Sequence, residues 1–430
     1  MKPSTRNWSL ALLFAAGALN LFDRQIINVL AEDIKREFQI SDAALGLLTG
    51  TAFGLLYSLA IVPLARVADR TNRVKLIAAA LAVWSLFTAL CGVTRTFVQL
   101  FLARMGVGVG EAGCQPASVS LVADLFPESR RTSATAVLLV GAPVGACLGL
   151  LLGGALATNF GWRTALFIAS VPGFVVATLM VLTVRDPMAR MKNPGDEGTF
   201  AAALAALAGT RSLRWLTLAF ACETFGLFAT GAWLPVFFIR AHALSAADAG
   251  LALGLAVGIG GAFGALALGY LCDRLRPRNS AADWQLPMLV LALNIPLAAL
   301  VVLAPALWIA VAAALALNVT IYAYLGPVPV LIQRQASFAT RSLALGGVTA
   351  IANILSMCLG VPLVGLLSDL LGPQAGPRAI GYAFALCLTA ASATGILALA
   401  RARRAASAES TRSTSSDPLI TSLGGEQCLE

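Results

Sequence analysis

Apolar residues run in blocks about 20 long, and polar residues gather in the short intervals between them. About 20 mostly apolar residues are what a helix needs to cross the hydrocarbon core of a bilayer. Cutting the chain at its charged and Pro/Gly-rich punctuation predicts twelve such helices: Trp8 to Leu30, Ala44 to Leu64, Val74 to Gly92, Phe97 to Leu121, Ser133 to Ala157, Thr164 to Val184, Trp215 to Ile239, Ala249 to Leu271, Leu286 to Leu303, Leu307 to Ile332, Ser342 to Leu367 and Ile380 to Ala400. They are numbered helix 1 to helix 12. The expected fold class is an all-α membrane protein, with twelve transmembrane helices in two six-helix pseudo-repeats. The longest connection, Arg185 to Arg214, holds Pro187, Pro194, Gly195 and five basic residues, and it separates six helices from six. The expected organisation is an N-terminal bundle over 1–184, a cytoplasmic linker over 185–214, a C-terminal bundle over 215–400 and a disordered cytoplasmic tail over 401–430. The tail reading rests on its Ser/Thr-rich polar composition.

An internal repeat supports the duplication independently. Ser41, Gly46, Leu47, Gly54, Asp69 and Arg70 recur 204 positions later as Ser245, Gly250, Leu251, Gly258, Asp273 and Arg274. Helices 1 and 7 start on the same side, so the halves are parallel repeats related by an axis along the membrane normal. That arrangement suits rocking of one half against the other around a midplane site. Orientation follows from the positive-inside rule. With the amino terminus inside, 22 of the 30 basic residues fall on cytoplasmic segments, six fall outside, and Arg24 and Arg104 sit within helices. Both termini are expected in the cytoplasm, with the protein in the cell's inner (plasma) membrane. The apolar start up to Phe22 has no cleavage site followed by a soluble chain, so a retained first helix is expected rather than a signal peptide.

Composition removes several function classes. With 58% apolar and 12% charged residues, water is not the main solvent of this chain. The net charge of +9 comes from short loop clusters, not from a groove that tracks phosphates, so nucleic acid is not an expected partner. Eight cysteines show no CxxC spacing and are read as core packing. No His/Cys/carboxylate cluster has metal-ligand spacing. His242, the only histidine, lies outside helix 7, which leaves no intramembrane histidine relay. No Gly-rich loop precedes a Lys, so ATP is not the expected energy source and no cofactor is expected. No Ser/His or His/Asp constellation suggests an enzyme. Gly106, Gly108 and Gly110 form a GxGxG run inside a membrane helix and are read as packing rather than as a nucleotide cradle.

The ionisable residues inside helices are few: Asp23, Arg24, Arg104, Glu111 and Glu223. Each costs about 2.5–3.5 kcal/mol to insert at the bilayer centre, so each should pair or line a watery cavity. Asp23 and Arg104 lie about 10 Å below the outer ends of the oppositely running helices 1 and 4, and so can meet at one depth. Glu111 lies two turns beyond Arg104 on the same face. A carboxylate beside an arginine stays ionised until the partner leaves or the site dries, which makes a proton switch. Asp23 and Glu111 are therefore the expected proton-coupling residues. Arg24 and Arg104 are expected to attract an anionic headgroup or to re-pair when the acids are neutral. A static cluster fixing helices 1 and 4 is the alternative. Glu223 in helix 7 has no evident basic partner and reads either as substrate-binding cavity lining or as a protonated packing residue. Helix 5 carries Gly141, Pro143, Gly145, Gly149, Gly153 and Gly154, which suit close packing in lipid or bending. Asn20, Gln115, Asn294, Asn318, Tyr322, Tyr324, Asn353 and Ser356 either line the cavity or bridge helices.

The loop after helix 2, Ala65-Arg66-Val67-Ala68-Asp69-Arg70-Thr71-Asn72-Arg73, and Gly269-Tyr270-Leu271-Cys272-Asp273-Arg274 after helix 8 resemble the G-x-x-x-D-R signature of the major facilitator superfamily. The first copy departs from it at Ala65 and Asn72. The resemblance implies that Asp69, Arg70, Arg73, Asp273 and Arg274 form a cytoplasmic gate that holds helix ends together when a transporter faces outward. Asn20-Leu21-Phe22-Asp23-Arg24, the stretch Arg104 to Ala112, Ala123-Asp124-Leu125-Phe126-Pro127, Gly161-Trp162-Arg163 and Leu182 to Pro187 resemble the spinster-like branch. That resemblance implies a secondary active transporter, working by alternating access as a monomer and coupled to protons. Its expected substrate is an amphiphilic anion such as a lysophospholipid or a sphingoid phosphate, drawn from among membrane lipids. A neighbouring branch of proton symporters for small organic anions or sugar acids shares the same charges, and it stays open as the alternative.

Overall fold

The protein is described from a computed structural model covering residues 3–187, 210–279, 281–335 and 341–415. Within these ranges a few side chains, Asp69 among them, also lie outside the described set, as does most of the linker expected over 185–214. Among the described residues there is no strand. Helix 1 is Pro3–Val29, and a short amphipathic helix, Ala31–Phe38, follows it. Helix 2 joins Asp42–Gly46, a π-helical turn Leu47–Thr51 and Ala52–Arg70. Helix 3 is Arg73–Val93, and helix 4 is Phe97–Ala112 and Cys114–Leu125, broken at Gly113. Helices 5 and 6 lie within Glu128–Thr183 and are separated at Gly161, whose φ of 77° few residues but glycine adopt. Helix 7 is Arg211–Ala241, and helix 8 joins Ala246–Leu255, a π turn Ala256–Gly260 and Gly261–Leu275. Helix 9 is Ala282–Leu303, and helix 10 is Leu307–Ala323 with Pro327–Gln335. Helix 11 joins Arg341–Asn353, a π turn Ile354–Gly360 and Val361–Ala375, and helix 12 is Ala379–Ser415.

By length and composition nine described stretches can cross a membrane. Ser133–Thr183 holds two helices, as does Ala344–Glu409, and helix 4 falls short only because Gly113 cuts it into pieces of 16 and 12 residues. Twelve spans result. Outward-facing apolar residues such as Leu182, Leu266 and Trp308 are more than 70% exposed, as the lipid-facing surface of a membrane bundle requires.

One boundary is corrected. The tail expected to be disordered from 401 is helical to Ser415. The Ala- and Arg-rich stretch after Ala400 has high helix propensity. Farther along, the Glu409 carboxylate accepts hydrogen bonds from the Arg211 and Ser212 backbone N–H groups at 3.0 and 3.3 Å and from Ser212 Oγ at 2.7 Å. The end of helix 12 thus caps the start of helix 7. Residues 416–430 lie outside the described set.

The repeated residues build the contact between the halves. Ser41 and Ser245 each cap their helix, accepting from Ala44 N and Asp248 N at 3.1 Å. Gly46 then lets helix 2 press on helix 11, where a Cβ would stand 2.8 Å from Pro362 Cα. Its repeat mate Gly250 lets helix 8 press on helix 5, where a Cβ would stand 2.2 Å from Leu150 O. Within the first half, helix 5 uses Gly141, Gly145 and Gly149 to approach helix 1, as close packing in lipid demands.

Candidate substrate and coupling site

The site starts from the glycine run of helix 4. A Cβ on Gly108 would stand 2.4 Å from Phe53 O, and one on Gly110 would stand 2.8 Å from the Trp84 backbone. Helices 2 and 3 therefore lie directly against helix 4, as the packing reading of GxGxG expects. This brings Phe53 and Tyr57, stacked with ring centroids 5.2 Å apart, beside the arginines. The Arg24 guanidinium lies 4.5 Å from the centroid of each ring, and Arg104 lies 5.5 Å from Phe53. Arg24 Nε donates to Glu111 Oε2 at 2.7 Å, with the Glu111 side chain fully buried and that of Arg24 14% exposed.

Asp23 and Arg104 are each 2% exposed, with Arg104 among the charges facing Asp23. They do not form an ion pair within 4.0 Å, and the pair formed instead is Arg24 with Glu111. The reason is helical geometry: consecutive residues point about 100° apart. Arg24 turns to helix 2 and Glu111, while Asp23 turns toward Trp84 and Thr88 of helix 3. Asp23 Oδ1, Arg104 Nε and Glu111 Oε1 are buried without a hydrogen-bond partner.

In the second half, Glu223 is 4% exposed, and neither of its carboxylate oxygens has a partner. Tyr324 of the helix 10 region lies near it, edge-on to Phe220 at 5.6 Å. Of the polar residues with two readings, Ser356 bridges helices by donating to Ala221 O at 2.8 Å, and Asn318 bonds back to Ala314 O in its own helix.

Of the residues expected at the cytoplasmic gate, Arg73 and Asp273 have partners within their own half. Arg73 donates to Asp186 and Asp124 at 2.7 Å and to Ser120 at 3.1 Å, which ties the start of helix 3 to the ends of helices 4 and 6 within one half. In the second half an acid sits at the start of helix 9: Asp283 accepts from Arg276, just after helix 8, at 2.9 Å and from Arg334 of helix 10 at 2.6 Å. Asp273 is exposed and pairs with Arg276 at 3.0 Å, three residues on. Arg70 and Arg274 are exposed, and the Asp69 side chain lies outside the described residues.

At the end away from the termini is a latch that the sequence reading missed. Arg240 of helix 7 donates to Glu32 at 2.7 Å and to both oxygens of Asp42 at 2.8 and 2.7 Å. Ser368 Oγ also donates to Asp42 at 2.7 Å, and Asp369 of helix 11 accepts from the backbone N–H groups of Asp42 and Ala43 at 2.9 and 2.8 Å. Both halves contribute to each of these contacts. The available signal was Arg240 itself, one of few arginines placed against the positive-inside bias. Nearby, Glu37 binds Arg163 and accepts from Trp162 Nε1 at 2.6 Å. The Arg163 hydrogen bond holds the Glu37 carboxyl below its ordinary value. Burial and the positive charge of Arg378 push the His242 imidazole below its own.

Comparison with known proteins extends this picture. The family model "Major Facilitator Superfamily" matches residues 13–349. An "MFS-type efflux pump" of Mycolicibacterium smegmatis is 33% identical, over 93% of this chain and 94% of its own. The sphingosine-1-phosphate transporter SPNS2 of Danio rerio is 30% identical over 54% of this chain, and the match spans 47% of that protein. A crystal structure of a bacterial homolog to the human lysosomal transporter Spinster, inward-facing and unoccupied, superposes with a TM-score of 0.80 at 26% identity, covering 94% of this chain and 97% of that one. Twelve spans in two repeats, a charged pair between helices 1 and 4 and these matches agree: the chain belongs to the major facilitator superfamily, as a spinster-like transporter and not an enzyme.

Proposed function

We propose that this protein is a secondary active transporter that uses alternating access and a proton gradient to move an amphiphilic anion, such as a lysophospholipid or sphingoid phosphate. The observation that carries the reading is Arg24, a cation 4.5 Å from each of two stacked aromatic rings and ionically tied to Glu111. Aromatic faces and an arginine together suit a substrate with an acidic headgroup and an apolar body. Protonating Glu111 or Asp23 frees guanidinium charge for that headgroup, and a bound anion in turn favours the protonated acids. On this reading the Arg240 latch closes the outer end, and the site would open toward the end that carries the termini, which the distribution of basic residues assigns to the cytoplasm. Names among the relatives support amphiphile transport, the sphingosine-1-phosphate transporter foremost.

A second reading, a proton symporter for a small organic anion or sugar acid, is favoured by a "Probable L-galactonate transporter" of Escherichia coli that is 26% identical over 62% of this chain. Thermal stabilisation in detergent separates the two. Lysophosphatidic acid should raise the melting temperature while galactonate and other short-chain acids leave it unchanged. Stabilisation by the short acids alone favours the symporter.

A further inference from the structure

Helix 3 offers Asp23 two hydrogen-bond donors that have nothing else to do. Trp84 and Thr88 are one turn apart on the same face and are 0% and 1% exposed. Both lie close enough to the Asp23 carboxyl group to act on it as donors, yet Trp84 Nε1, Thr88 Oγ1 and Asp23 Oδ1 all stop short of hydrogen-bond geometry. An indole nitrogen is a donor only. A threonine in a membrane helix has an easy alternative, the carbonyl four residues back. Thr49, Thr158, Thr178, Thr217, Thr224 and Thr349 all take it, at 2.6 to 3.1 Å. Thr88 does not. Trp84 is also fixed in place, because Gly110 of helix 4 sits against its backbone and Cβ.

From this geometry we infer that Trp84 and Thr88 are positioning residues for the coupling proton: they form a two-donor cradle that closes on Asp23 when it is ionised and releases it when it is protonated. The inference rests on Asp23 being a coupling residue. A buried donor left without an acceptor is destabilising, so a pair of them beside a carboxyl favours the state that uses both. The other charged and titratable groups facing Asp23 are Arg104 and Glu111 from helix 4 and Cys91 from helix 3. Helix 5 meets helix 1 through Gly141, Gly145 and Gly149, which carry no charge.

The test is an infrared pH titration of the purified protein in lipid, following the carboxyl C=O band that Asp23→Asn removes. Removing a donor to the carboxylate weakens the ionised form, so Thr88→Val and Trp84→Phe should each move the midpoint about one unit to higher pH, a tenfold change in proton affinity. Thr88→Ser keeps the hydroxyl and should restore the wild-type midpoint, which a purely packing role would not require. Unchanged midpoints in Thr88→Val and Trp84→Phe, with the Asp23 band present, overturn the cradle and leave the coupling reading standing. Absence of any Asp23 band that titrates overturns both.

Discussion

Arg24 of helix 1 and Glu111 of helix 4 meet at 2.7 Å, and the same guanidinium stacks against Phe53 and Tyr57 of helix 2. Three helices of one half therefore converge on a single cation. Removing one partner of a buried pair costs about 3–5 kcal/mol, because the remaining charge is stranded. Glu111→Gln should lower transport at least tenfold and reduce the melting temperature. Arg24→Lys should not restore either, since a point charge cannot both stack on two rings and pair with the acid. Uptake into proteoliposomes and thermal melts in detergent check both outcomes.

The latch predicts a shift in conformational population. Arg240 holds Glu32 and Asp42 across the halves, so Arg240→Ala removes contacts that tie the two halves together at this end. Spin labels at Asn159 and Ala243, on opposite halves at this end, should report longer distances in Arg240→Ala than in the wild type. An unaltered distance distribution would show that glycine-mediated packing alone keeps the end shut.

That packing makes its own prediction. A side chain at Gly250 would collide with the Leu150 carbonyl, and backbone cannot yield as a flexible side-chain tip can. Gly250→Val should disfavour outer closure and lengthen the same label distance, whereas valine at Gly269, which has open space around it, should leave it unchanged.

Much of the architecture was legible because a bilayer leaves a chain few choices: every span must be helical and about 20 residues long. The repeat was legible too, and its Ser and Gly positions prove to be caps and contact points between the halves. Sequence spacing put Arg104 among the charges facing Asp23 but did not yield the Arg24–Glu111 pair, because spacing along the axis says nothing of rotation about it. The latch stayed hidden because Glu32, Asp42 and Arg240 fall in separate segments, each reading as an ordinary helix end. Helix 12 ran past its apolar stretch because propensity and a capping contact from Glu409 outweighed the polar composition.

Glu37 supplies a pH-dependent term outside the membrane. Its folded value lies below the ordinary one of 4.5, so the pair with Arg163 contributes fully above that value and fades as pH falls through the folded value. Glu37 is 44% exposed, and the contribution should stay below about 1 kcal/mol. Melting temperatures of the wild type and Glu37→Gln should differ slightly at neutral pH and converge in acid.

Proton movement measured together with substrate bears most directly on the account. Vesicles holding the purified protein and a pH-sensitive dye are given lysophosphatidic acid with no imposed gradient. The wild type should carry protons with the lipid, while Asp23→Asn should move lipid without protons or move neither. Proton flux in Asp23→Asn equal to that of the wild type would contradict the mechanism.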